Sequence, residues 1–224
     1  MILPGHRLLP SQPSVPPDII ESFRNVSVAI VSDNLNRLHG TRVLKPFHKS
    51  GRLIGTAVTV KTRPGDNLFL HKAYEVLRPG DVLVVDGGGD LGQALVGEIM
   101  MTRARTMDVA GFVIDGAIRD VSAFVEAEFP CFARSVTHRG PYKTGPGEIN
   151  VPVSIDGMVV MPGDVILGDQ DGLVAFGPSV ATELLSRVRQ QEAREADALT
   201  AIREGRFDSY VGAPGVTDNK GGRS

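Results

Sequence analysis

Residues 81–120 read DVLVVDGGGDLGQALVGEIMMTRARTMDVAGFVIDGAIRD, and the fold turns on how this stretch divides. DVLVVDGGGD (81–90) reads as a buried strand ending in a glycine loop, because Val and Leu run on without polar alternation. QALVGEIMMTRARTM (93–107) has helical spacing, with Ala94, Leu95, Ile99 and Met100 on one face. AGFVIDG (110–116) reads as a second buried strand. Strand, loop, helix and strand in that order predict an α/β protein built around a right-handed βαβ crossover.

Upstream, the prolines at 10, 13, 16 and 17 mark residues 1–17 as an irregular leader. Asp18 is placed to cap a short helix through about Arg24. SVAIVSDNLNRL (27–38) mixes an apolar run with a helix-start signal at Ser32-Asp33. From Gly51, RLIGTAVTVKT is rich in β-branched residues and predicts a strand, and NLFLHKAYEVL (67–77) a helix. Downstream, 151–177 reads as short strands separated by Asp156-Gly157, Pro162-Gly163 and Asp171-Gly172, where Asp-Gly between β-rich runs signals a hairpin. A C-terminal helix is expected over 178–204 and a disordered tail over 212–224. Pro-Gly-Asp recurs at 64–66, 79–81 and 162–164. The triplet reads as one recurrent turn, with Pro presetting φ and Gly accepting the positive φ that follows. No compositional break divides residues 1–224, so one domain is expected.

Composition narrows the function classes. Lys plus Arg number 24 against 26 Asp plus Glu, a formal net charge of −2. That balance argues against a broad phosphate-binding face and against nucleic acid as a partner. Cys131 is the single cysteine, so no intrachain disulfide or cysteine-built metal cluster forms. No stretch approaches the ~20 apolar residues of a membrane span, and the proline-rich start does not read as a signal peptide. The expected setting is cytoplasmic, with no membrane partner.

Gly87 to Gly92 carries G-x-G-x-x-G after a strand, the pattern by which a nicotinamide enzyme brings pyrophosphate to a helix N-terminus, and Asp115 ends the next strand where a ribose ligand belongs. Against it, the motif begins some eighty residues into the chain, a hairpin-rich half follows, and a dinucleotide fold gives no role to Arg119-Asp120. A parallel crossover places the helix bearing Gly97-Glu98 beside the loop leaving the second strand, so these groups and Arg119-Asp120 are expected to converge. A 2-oxo acid offers a carboxylate and a keto oxygen to such a site. Asp120 is then a direct ligand for Mg²⁺, which keeps several waters of its own. Arg119 stabilises an enolate, Glu98 orients a water on the cation, and backbone N–H groups from Gly97 to Met100 take the carboxylate. Taken singly, an adjacent Arg-Asp is an ordinary surface pair and a lone helical Glu an ordinary solvated residue; the joint spacing carries the reading. The five histidines show no paired metal spacing, although His138-Arg139 could reach a site rim. Cys131 reads as a small core residue, and Lys143 as an exposed lysine with substrate contact as the lesser alternative.

The same motifs carry a resemblance. GDVLVVDGGGD, GEIM, DGAIRD and PVSIDGMVVMPGDVILGDQDG, in this order within about residues 20–200, resemble the RraA-like family, which includes class II 4-hydroxy-4-methyl-2-oxoglutarate aldolases and the regulator of ribonuclease E activity. The resemblance implies a swivelling β/β/α three-layer domain, trimers or hexamers, and a divalent cation, Mg²⁺ or Mn²⁺. It implies that Asp120 ligates the metal, that Arg119 contacts substrate, and that Gly97, Glu98, Ile99 and Met100 line a pyruvoyl site. It further implies a Glu from a neighbouring subunit's C-terminal region, for which Glu192 and Glu195 are the candidates. Aldolase members carry an acid three positions beyond the residue matching Asp120, where this chain has Ala123. Decarboxylation of oxaloacetate passes through the same pyruvate enolate. The expected function is a metal-dependent lyase on a small 2-oxo acid. A noncatalytic regulator of ribonuclease activity and an NAD(P)-dependent oxidoreductase are the rivals.

Overall fold

A computed structural model describes residues 3–49 and 51–206. Contacts divide the chain at Val188: one compact unit ends there, and a second begins at Arg189. The expected tail at 212–224 lies outside the described residues.

Two helices follow the leader, α1 (Pro17–Phe23) and α2 (Val28–Asn34). The second is capped by Ser27, whose side chain accepts the Ala29 N–H at 3.3 Å, so its start lies five residues before the expected Ser32. Then come β1 (Lys45–Pro46), β2 (Leu53–Thr62), α3 (Leu68–Ala73), β3 (Asp81–Val96), α4 (Glu98–Thr106), β4 (Gly111–Ile118), α5 (Val121–Glu126) and β5 (Cys131–Val136). Short strands β6 (Gly147–Ile149), β7 (Val153–Ile155) and β8 (Met158–Val160) precede β9 (Val165–Asp169), β10 (Gly172–Phe176) and α6 (Ala181–Arg203).

Among the described residues the main sheet has the order β1-β5-β4-β3-β2-β9-β10, with β6 also on β2. Strands β2, β3, β4 and β5 are mutually parallel, and β3–α4–β4 is the expected crossover. Alternation along these strands feeds two cores. Val58, Val60, Leu83, Val85, Phe112 and Ile114 face α3, α4 and α5, together with Phe69, Leu70, Met101 and Phe124. Ala57, Val82, Val84 and Val113 face the other way, onto Val153, Ile155, Met158 and Val160 of the β7–β8 hairpin. Period-2 side-chain placement thus yields three layers, hairpin, sheet and helices. Burying each of these large side chains stabilises the fold by about 1.5–3 kcal/mol. A third cluster joins α1 and α2 to the start of α6 through Phe23, Val31, Leu184 and Val188.

The hairpin turns form where Asp-Gly predicted them, with β7 on β8 and β9 on β10 antiparallel. All three Pro-Gly-Asp turns close with a backbone bond, from Asp66 to Arg63, Asp81 to Arg78 and Asp164 to Met161. Gly65, Gly80 and Gly163 hold φ of 73, 80 and 87° at the position that needs it.

Two further expectations fail. Asp18 lies inside the first turn of α1 instead of capping it, since the N-cap is Pro16 and no side chain caps the helix. The helix set at 93–107 starts at Glu98, because β3 runs on through the glycines to Val96. Asp86, Asp90 and Ala94 pair with consecutive β4 residues Asp115, Gly116 and Ala117, so three extra residues bulge from β3 at each step. Ala94 and Leu95 are therefore strand residues, and Ile99, assigned to their face, is 81% exposed. Gly92 leads into strand rather than helix, which removes the phosphate-binding helix start that the dinucleotide reading requires. Asp115 is buried and paired to Arg134 rather than presented to a ribose.

Candidate active site

The C-terminal ends of β3 and β4 lie side by side, with Val96 opposite Ile118. Each strand leads directly into a helix, and the two connections meet. Gly97 is the N-cap of α4, and Asp120 occupies the same position for α5. Asp120 adopts φ 58°, a left-handed conformation that Asp and Asn enter at modest cost. From there its Oδ2 accepts the Glu98 N–H at 3.0 Å, capping α4 from the neighbouring connection. Arg119 Nε is 3.6 Å from the same oxygen. A Cβ on Gly97 would collide with Asp120 Oδ2 and stand 3.0 Å from Arg119 Cγ, so only glycine permits this approach. On the far side, a Cβ on Gly140 would come within 3.3 Å of the Arg119 guanidinium.

Arg119 lines a cavity of about 100 Å³ together with Gly97, Ile99, Met100, Asn67, His71 and Lys143. That space suits several waters or a molecule of a few heavy atoms. The α4 N-terminus brings its positive dipole end and first-turn amides to this cavity. The convergence of Gly97–Met100 with Arg119-Asp120 is therefore in the structure. Glu98 is exposed, and only its backbone N–H joins the cluster, while Ile99 and Met100 line the wall. Lys143 is exposed, as expected, yet lines the cavity. His138 and Arg139 are not among the lining residues, although the Arg139 carbonyl accepts the Ala94 N–H at 2.8 Å. Glu192 and Glu195 belong to the second compact unit, where they bond Arg189 and Gln191 respectively.

The sequence reading missed Asn67 and His71. Asn67 is 3% exposed; its Nδ2 donates to the Leu95 carbonyl at 3.0 Å, and its buried Oδ1 has no partner. The Oδ1 is an acceptor in want of a donor at the cavity wall. His71 lies one helical turn on, with its N–H on the Asn67 carbonyl. Burial, then Lys143 and Arg103, hold the His71 imidazole below its ordinary value, so it is neutral at pH 7. The only sequence signal for either was position: Asn67 holds the N-cap position of the helix that follows β2, and His71 lies within that helix.

A larger cavity of about 740 Å³ lies between Arg24, Lys49, Arg52 and Asp169. Its walls include none of the convergent residues, so volume alone does not mark the site.

His48 shifts in the same direction as His71, and again burial is the main cause. Its Nδ1 accepts the Cys131 N–H at 3.2 Å and its Nε2 is buried without a partner, so burial pushes its basicity down. Both imidazoles bind fewer protons folded than unfolded. Stability from this source is full above the unfolded value of about 6.5 and declines as pH falls through it. The urea midpoint should be lower at pH 5.5 than at pH 7.5, and His48→Phe should reduce the difference; an unchanged difference would remove His48 from the account. Burial likewise pushes the Cys131 thiol up, which fits a core residue and not a nucleophile.

The fold and the cavity define a mixed α/β protein whose arginine, lysine and helix start face one small pocket with a mostly apolar wall. The sequence profile of the RraA-like family (Aldolase/RraA) matches residues 28–175, and the chain belongs to that family. It is 39% identical over 194 residues to a Halalkalibacterium halodurans protein provisionally named 4-hydroxy-4-methyl-2-oxoglutarate aldolase, covering 83% of this chain and 92% of that one. It is 36% identical over 132 residues to the 4-hydroxy-4-methyl-2-oxoglutarate aldolase of Thermus thermophilus, covering 59% and 80%. Among solved structures, Streptomyces coelicolor RraAS2, described as an unusual member of the RNase ES inhibitor RraA family, superposes with TM-score 0.76 at 26% identity, over 83% of this chain and 97% of that one. The RNA-processing inhibitor RraA of Thermus thermophilus gives 0.62 at 34% identity, over 68% and 93%. Among the described residues no helix is long and apolar enough to cross a membrane.

Proposed function

We propose that this chain is a divalent-metal-dependent carbon–carbon lyase that acts on a small 2-oxo acid through a pyruvate enolate. One observation carries the reading: Arg119, Lys143 and the start of α4 converge on one cavity with the Asp120 carboxylate beside it. Among the described residues no three His, Cys, Asp or Glu side chains cluster as a metal cage. A lone carboxylate suits Mg²⁺ or Mn²⁺, hard cations that keep waters and draw remaining ligands from substrate. Asp120 would hold the ion, which when bound supplies a Lewis acid for the keto group.

The chain's own residues do the rest. The first-turn amides of α4 beyond the one Asp120 caps, those of Ile99 and Met100, receive the substrate carboxylate, and Arg119 presents a planar fork to the oxygen that gains charge. Lys143 supplies a second cation, and the neutral His71 supplies a hydrogen bond without a further charge. With oxaloacetate, the bond between C3 and the C4 carboxylate breaks, its electrons form the enolate, CO₂ departs, and C3 takes a proton to give pyruvate.

Aldol cleavage additionally needs a base for the substrate hydroxyl. The described cavity walls hold no Asp or Glu, and Ala123 packs against the hydrophobic core of α3–α5. Within one chain the site is therefore better furnished for decarboxylation. Aldol activity would draw its base from Glu192 or Glu195 of a neighbouring subunit in a trimer or hexamer. Coupled pyruvate release should appear with oxaloacetate and Mg²⁺ or Mn²⁺, vanish with EDTA, and be slower with 4-hydroxy-4-methyl-2-oxoglutarate. No release with either substrate and either metal would overturn the lyase reading in favour of a regulator, the role for which two structural neighbours are named.

A further inference from the structure

The three Pro-Gly-Asp turns close alike, but their aspartates are directed differently. Asp81 and Asp164 fold back on their own turns, each Oδ2 accepting the N–H of the turn's first residue, Arg78 or Met161, at 2.8 Å. Asp66 reaches across the fold instead. Its Oδ2 accepts the N–H of Thr144 at 2.7 Å and of Gly145 at 2.9 Å, the Thr144 hydroxyl at 3.2 Å and the Arg63 guanidinium at 3.2 Å. Its Oδ1 accepts the Leu68 N–H at 2.9 Å, at the first residue of α3.

We propose that Asp66 is the positioning residue of the candidate active site: its buried carboxylate locks the 142–145 loop to the start of α3 and thereby sets Lys143, Asn67 and His71 around the cavity. The inference rests on the lyase reading for its catalytic consequence, not for the geometry.

The backbone on both sides of Lys143 is tied into this junction. Tyr142 N–H donates to the Gly65 carbonyl at 2.8 Å, and the Tyr142 carbonyl accepts the Asn67 N–H at 2.9 Å. Thr144, on the other side, is held by Asp66 itself. A lysine has four flexible side-chain bonds, so its reach into a small cavity depends on a fixed Cα. Asp66 is fully buried. Burial alone would push its carboxyl up, but the N–H groups of Leu68, Thr144 and Gly145 and the Thr144 hydroxyl outweigh that and hold it below the usual range. It is therefore a buried anion solvated by backbone donors, a strong form of hydrogen bond. Asparagine has the same shape, yet however its amide turns, an NH₂ faces an N–H donor and the charge is gone.

Two measurements test this on Asp66→Asn and, as a milder break in the same junction, Thr144→Val. In hydrogen exchange, the amides of 142–145 should exchange roughly tenfold faster or more, with those of α4 unchanged. In steady state with Mg²⁺, the oxaloacetate KM should rise roughly tenfold with kcat within about threefold, and adding Asp66→Asn to Lys143→Met should raise KM little further, because both act through one group. Unchanged exchange over 142–145, equal acceleration in α4, or full multiplication of the two KM effects would overturn the proposal. If wild type releases no pyruvate, the lyase reading fails by itself and the exchange result decides the positioning claim. If Asp66→Asn does not fold, Thr144→Val decides it by the same readouts.

Discussion

Asp120→Asn is expected to abolish metal-dependent pyruvate release while leaving the protein folded. Asparagine keeps a carbonyl oxygen for the Glu98 N–H that Asp120 now accepts at 3.0 Å, and it tolerates the left-handed φ of 58°. What it removes is the charge, and a neutral amide is a poor ligand for a hard cation. Asp120→Ala is the less informative variant. It deletes the cap of α4, worth ~0.5–2 kcal/mol, and forces alanine into the left-handed region, so stability and catalysis fall together. The discriminating result pairs a melting temperature near wild type with turnover below detection for Asp120→Asn. Full activity in that folded variant would displace Asp120 from the metal role and with it the centre of the proposal.

The sequence exposed the scaffold of this site better than its walls. The apolar runs at 82–85 and 110–114 specify buried parallel strands because both sheet faces are covered, and the crossover rule then brings Gly97 beside Arg119-Asp120. The glycine segment misled for a physical reason. Helical spacing at 93–100 and strand pairing with bulges are locally indistinguishable, and the choice was made by β4, whose residues 115–118 pair with Asp86, Asp90, Ala94 and Val96 and leave the residues between them to bulge. Asn67 and His71 were illegible as site residues, and Lys143 legible only as a lesser alternative, because Asp66 gathers them across 78 positions of sequence, and no local period encodes such a bond. The identical triplets at 79–81 and 162–164 close on themselves, so the motif gave no hint that one copy would reach further.

Arg119→Lys is expected to lower kcat by roughly 10²–10³-fold, the usual effect of losing one preorganised donor to a developing oxyanion, with a smaller change in KM. The structure makes the arginine hard to replace by a generic cation. Its backbone N–H is fixed on the Val96 carbonyl at 3.1 Å, its stem lies against Gly97, and its guanidinium end lies against Gly140. Its Nε is also 3.6 Å from Asp120, so one face of the fork is oriented by the proposed metal ligand while the rest addresses the cavity. A lysine keeps the charge but offers a compact point with no Nε to orient. The division between kcat and KM identifies which oxygen Arg119 serves. A fall in kcat alone means the interaction strengthens as the enolate forms; a rise in KM with kcat intact means it holds the ground-state carboxylate equally in both states. If neither moves, Arg119 and Asp120 form only the half-exposed surface pair that an adjacent Arg-Asp usually is, and the chemistry would have to pass to Lys143 and the first turn of α4.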